Sequence, residues 1–158
     1  MANIQLERLN LALLKQLNSS QCVITTEPLS LSAKMAKTIE VGDWIDLGKE
    51  LPTLFIKRGG ELLYNAIFIE DGGVEAIKVI DLIEFKLPEQ AGKKRIVLEG
   101  RLAIVDCSSL KDGKVLKFPW RVSNHIHLFH KNRLFASAKL ISYKGGYAFE
   151  ITELVNEA

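Results

Sequence analysis

The sequence predicts a mainly β protein built from two related modules that share one core. Three observations predict it. First, LFIKRGGELLYNAIFIEDGG returns as a similar segment, IHLFHKNRLFASAKLISYKGG, so that Leu54, Ile56, Leu62, Ala66 and Phe68 align with Ile126, Leu128, Leu134, Ala138 and Leu140, 72 residues on (126 − 54 = 72). A recurring apolar pattern means that both copies solve the same packing problem. Second, the apolar residues come in short runs separated by Gly-Gly, Asp-Gly-Gly and Lys-Gly-Gly, which is the punctuation of hairpins. Third, two copies within 158 residues leave each near the lower limit for an independent core. Strands of one copy completing the other is the more economical arrangement.

Taken in order, residues 4–17 (IQLERLNLALLKQL) read as an amphipathic helix, with Leu6, Leu9, Leu13 and Leu17 on one face, Asn3 as its cap and Asn18-Ser19-Ser20 as its end. This N-terminal helix occupies 1–20. The first module spans 21–86. CVITTEPL is a strand broken at Pro28, and Ser32 caps a short helix, AKMAKTI. Gly42 ends that helix and WIDL starts a strand. LPTLFIKR and ELLYNAIFIE form a hairpin about Gly59-Gly60, and VEAIKVIDLIEF follows the turn at Asp71-Gly72-Gly73. LPEQAGKK (87–94) is the linker, because Pro88 blocks strand pairing and Gly92 and the lysines favour exposure. The second module, 95–158, repeats the plan. RIVLEGRLAIV is a strand, Asp106 caps a turn, Gly113 matches Gly42, and VLKFPW, HIHLF, RLFASAKLIS and YAFEITELV are strands. Lys131-Asn132 stands where copy one has Gly59-Gly60, and asparagine tolerates the left-handed region.

The bulk composition is that of an ordinary globular protein, 47% hydrophobic and 25% charged. A net charge of +2 gives no strong electrostatic case for nucleic acid or an anionic membrane. Cys22 and Cys107 form no CxxC pair and sit in or beside apolar stretches, so buried free thiols are expected. Glu7 and Arg8 interrupt the N-terminal apolar pattern, which argues against a signal peptide. No apolar run approaches the roughly 20 residues that cross a bilayer. A cytoplasmic protein is expected, with attachment to a membrane-bound machine still open.

By these residues the chain resembles the SpoA (surface presentation of antigens) domain family. That domain forms the C-terminal part of the flagellar switch proteins FliM and FliN and of the SctQ-like cytoplasmic-ring proteins of type III secretion. The family's Leu-Gly-Arg opening corresponds to Glu99-Gly100-Arg101, its Gly step to 110–116, and its closing Ile-Thr-Glu-Leu to 151–154. Copy one matches the Gly step at 39–45, lacks the Gly-Arg opening and ends in Val-Ile-Asp-Leu. The likeness covers about residues 22–156. Departures are Lys114, Lys131-Asn132 and Ser142, the last where the pattern is aliphatic. The resemblance implies a tandem SpoA pair, intertwined as a pseudo-dimer by strand exchange. It implies a structural part of a C-ring or sorting platform, peripheral to a membrane-embedded basal body. Its partners would be the FliH/SctL-like regulator of the export ATPase, other ring proteins and further copies of itself, with no cofactor, no nucleic acid and no direct membrane insertion. The docking patch implied by the family maps to Leu140, Ile141 and Tyr143, and its copy-one equivalent to Phe68 and Ile69.

Other constellations are weaker. His125, His127 and His130 form an HxHxxH pattern, and period two would set the first two on one strand face. A metal-dependent enzyme is one alternative reading; exposed histidines beside a turn is the other. The carboxylates Glu70/Asp71, Asp81/Glu84 and Glu150/Glu153 define no acid–base pair. A small β-barrel nucleic-acid binder would use Lys57, Arg58, Lys93, Lys94 and Arg95 with Tyr64 or Trp120. Trp44 is expected in the core, and Trp120, between Pro119 and Arg121, as a half-exposed interface anchor. No catalytic group recurs with the repeat, so no enzyme activity is expected.

Overall fold

The computed structural model describes residues 20–48, 50–81 and 95–155. The expected N-terminal helix, the linker at 87–94 and the end of copy one lie outside the described residues. Copy one contributes β1 (Gln21–Thr26), β2 (Leu29–Ser32), a short helix α1 (Ala33–Thr38), β3 (Trp44–Gly48), β4 (Leu54–Arg58), β5 (Glu61–Asp71) and β6 (Val74–Ile80). Copy two contributes β7 (Arg95–Asp106), a 3₁₀ turn (Cys107–Ser109), β8 (Val115–Leu116), a second 3₁₀ turn (Val122–Asn124), β9 (Ile126–His130), β10 (Arg133–Tyr143) and β11 (Gly146–Leu154). The fold is mainly β, and its strands form one large antiparallel sheet.

The sheet order is β3-β11-β10-β9-β7-β1-β4-β5-β6-β8, with β2 also against β7. Replace each strand by its repeat counterpart and the order reads the same from either end. At the centre, β1 and β2 run as one interrupted strand along β7, from Gln21 opposite Asp106 to Ser32 opposite Arg95. The interruption falls at Glu27-Pro28, as expected where proline has no N–H for a ladder. At the two ends the copies cross over. β3 of copy one pairs with β11 of copy two, and β8 of copy two pairs with β6 of copy one. The two glycine steps make corresponding hydrogen bonds. The Gly42 amide donates to Ile151 O (2.8 Å), and the Ile151 amide to Asp43 O (2.9 Å). The Gly113 amide donates to Val79 O and the Val79 amide to Lys114 O, both at 2.8 Å. Each closing strand is therefore completed by the other copy, and the exposed edges are left to β3 and the two-residue β8. Short edge strands offer little backbone for unwanted pairing.

Three of the five aligned repeat pairs are core. Leu54, Ile56 and Ala66, and their counterparts Ile126, Leu128 and Ala138, are fully buried. Even the irregularities recur: β4–β5 shifts register after Ile56, and β9–β10 shifts after Leu128, so that Leu63 and Phe135 occupy equivalent bulges. A bulge sharpens local twist. The two hairpin turns reach the same backbone shape with different residues. Gly59 and Gly60 have φ 57° and 85°, and Lys131 and Asn132 have φ 47° and 65°.

Four local expectations are corrected. Cys22 and Cys107 are joined as a disulfide, with Cα atoms 5.6 Å apart. Their 85-residue separation hid a close approach made by β1–β7 pairing: the 3₁₀ turn after β7 folds back, and the Cys107 amide donates to Ser20 O at 2.9 Å. Trp44 is 49% exposed, because β3 is an edge strand with one outward face. VLKFPW pairs only at Val115–Leu116, since Pro119 and the following 3₁₀ turn end the ladder. His127 is buried rather than exposed, because β9 lies between β7 and β10 and is covered.

Candidate interaction site

The exchange of strands brings residues 72 apart to opposite walls of one cleft. A cavity of about 320 Å³ is lined by Phe68 and Ile69 of β5 and by Leu140 and Ile141 of β10. It is also lined by Leu51, Glu70, Glu75, Arg121, Ser123, Ser142 and Tyr147. Ten of these residues are repeat partners: 51 with 123, 68 with 140, 69 with 141, 70 with 142, and 75 with 147. The cleft is therefore lined mostly by residues related by the 72-residue offset. The two walls are equivalent in register: Phe68 stands opposite Ile77 in β5–β6, and Leu140 opposite Phe149 in the equivalent place of β10–β11.

The rim is held by polar contacts between copies. Glu75, at the start of β6, accepts hydrogen bonds from the Ser123 amide (3.0 Å) and the Ser123 hydroxyl, and pairs with Arg121 Nε at 3.3 Å. Its carboxylate is 14% exposed, while Arg121 is 66% exposed. A part-buried carboxylate with three donors is fixed in place.

Of the residues singled out in the sequence, Phe68, Ile69, Leu140 and Ile141 meet in this cleft. Tyr143 does not line it. Its ring meets the edge of Trp44 at 4.8 Å, and Lys144 Nζ lies 5.2 Å from its centroid. Trp44 Nε1 donates to Glu150 at 2.9 Å, and Lys139 reaches the other oxygen at 3.2 Å. These two donors, Trp44 foremost, hold the Glu150 carboxyl below its ordinary pKa. Trp120 is half-buried against the core and tilted on Phe118 at 5.6 Å, and its Nε1 is buried without a hydrogen-bond partner. Its neighbours Arg121 and Ser123 line the cleft; the indole does not. Leu51, Glu75 and Tyr147 were missed in the sequence, although the 72-residue offset already linked Glu75 to Tyr147 and Leu51 to Ser123.

The three histidines do not converge on one another. His127 Nδ1 lies 3.1 Å from Ser137 Oγ, and its Nε2 is buried with no partner. His130 Nδ1 lies 3.2 Å from Val97 O, and His125 ends the second 3₁₀ turn rather than joining β9. Among the described residues no group of three His, Cys, Asp or Glu side chains is placed to hold a metal ion. The basic residues of the nucleic-acid reading are spread as well. Lys57 pairs with Glu99 (3.2 Å), and Arg95 donates to Ser30 Oγ (2.7 Å); Lys93 and Lys94 lie outside the described residues. Arg101 lies over the Phe129 ring at 4.0 Å and donates to Asn132 Oδ1 at 2.8 Å. Among the described residues no helix is long and apolar enough to cross a membrane. No family model matches the chain, and no curated protein matches it.

Proposed function

We propose that the chain is a scaffold and docking component: a tandem SpoA pair, intertwined through β3 and β8, in the cytoplasmic ring of a flagellar or type III secretion system. One observation carries the docking part. Four of the five residues that the family resemblance maps to the docking patch, Phe68 and Ile69 with Leu140 and Ile141 but not Tyr143, line a single cleft. A cleft that combines apolar side chains with charged and hydroxyl groups is a usual form of a site for a short peptide segment. The FliH/SctL-like regulator of the export ATPase is the partner that this reading assigns to it. The strand exchange supports the scaffold part, because a shared sheet makes the two copies one rigid body with a defined cleft between them.

The test is co-purification from the native cell, followed by pull-down of the regulator with Leu140→Asp plus Ile141→Asp. Both side chains line the cleft and Leu140 also packs against the core, so the melting transition of the variant is checked first; the folded variant is expected to lose the regulator. Undiminished capture by the folded variant would remove the cleft from the docking reading. Companions unrelated to secretion or motility would remove the ring assignment.

A further inference from the structure

The cleft has a symmetric floor and an asymmetric rim. Phe68 and Ile69 have near-equivalents in Leu140 and Ile141, so the floor presents similar apolar surface from both sides. The rim differs. Glu70 has Ser142 as its counterpart, and Glu75 has Tyr147. Glu70 and Glu75 also stand directly opposite each other in the β5–β6 ladder. Like charges in that position repel. Arg121 compensates Glu75, at 3.3 Å. Glu70 is exposed, and among the described residues no hydrogen bond or ion pair engages its side chain. Among the described residues, one wall of the cleft thus carries a carboxylate without a counter-charge, and the other wall carries neutral Ser142 and Tyr147.

Resting on the docking reading above, we propose that the cleft takes one segment per chain, in one direction: an apolar stretch with a lysine or arginine at the end that meets Glu70. A floor with two-fold character would accept an apolar segment either way round. The Glu70 carboxylate, on one wall and not the other, selects one direction. Because the floor is built from both copies, a segment lying across it covers both halves, and a second copy has no room.

The experiment uses the full chain and three fluorescein-labelled peptides. They share a Leu/Trp stretch and differ only in one flanking residue: arginine, glutamine or glutamate. Binding is followed by anisotropy. The arginine peptide is expected to bind tightest, with one peptide per chain at saturation. Its advantage over the glutamate peptide should be about fivefold at low salt, as for an exposed ion pair, and should shrink as salt rises. Glu70→Lys should invert the order without lowering the melting temperature, since Glu70 is exposed. Leu140→Asp plus Ile141→Asp should abolish binding of all three. If that double variant abolishes binding but the order is flat, or is untouched by Glu70→Lys, the directional inference falls and the docking reading stands. Two peptides per chain would also overturn it. If no peptide binds, or the double variant binds as before, both fall.

Discussion

His127 shows how one buried group sets a pH limit. Burial disfavours its charged form first, nearby His125 adds to that, and Glu153 only partly opposes them, so its pKa lies below the ordinary 6.5. A histidine kept neutral in the fold, and free to take a proton when unfolded, costs stability as pH falls below its unfolded value. Thermal melts should therefore hold steady above about pH 7 and decline as pH drops through 6.5. His127→Gln, which keeps a polar group near Ser137, should flatten that decline; an unchanged slope would assign acid sensitivity to other groups. Gly100 sets a steric limit. A Cβ there would lie 2.7 Å from Thr26 Oγ1 and 2.9 Å from Ile126 Cγ2, and the Gly100 amide already donates to Thr26 Oγ1 at 3.0 Å. Gly100→Ala should cost about 1–3 kcal/mol, the range for overpacking a tight core, measured by denaturant unfolding. Gly100 was legible in sequence only as part of a family-like opening. Its physical role is close approach of β1 to β7, which no single-sequence pattern encodes.

At the scale of elements, the exchanged strand β3 matters more than its five residues suggest. Ile45 is 5% exposed and stands opposite Phe149 of β11, so a copy-one side chain closes the copy-two core. Ile45→Ala should destabilise by about 2–4 kcal/mol. Its signature should be regional: hydrogen exchange should speed first in the β11 amides, although β11 is about a hundred residues away in sequence. Loss of protection confined to β4 and β5 would mean that copy one is stabilised by itself. The hairpins were readable in advance because turn chemistry is local. Gly59-Gly60 and Asn132 announce positive φ from residue type, whereas Lys131, at φ 47°, does not. The edge character of β3 was not readable, because WIDL looks the same whether its outer face meets solvent or core. Trp44 was expected inside on that ground and lies at the rim of the sheet, held by Glu150 and Tyr143.

At the scale of the whole molecule, the 72-residue offset held most of the recoverable information. It identified core positions, and it paired the residues that line the cleft. It could not show that Cys22 and Cys107 meet, because they are not repeat partners: 107 − 72 is 35, where copy one has Met35. Their bond joins the start of β1 to the turn after β7, and so ties copy one to copy two beside the central strand pair. The molecule thus has two independent ways of staying together, the shared sheet and the disulfide, and cleavage within 87–94 separates them experimentally. Under native conditions the cut chain should elute as one species, with or without reductant, because β3–β11 and β6–β8 pairing persists. In denaturant without reductant it should run as one band, and with reductant as two. Cys22→Ser should leave the native species intact while lowering stability. Loop-closure entropy for a long loop puts the loss at about 4 kcal/mol. Dissociation of the cut, reduced chain under native conditions would show that the exchanged strands do not hold the halves, and that the disulfide alone does.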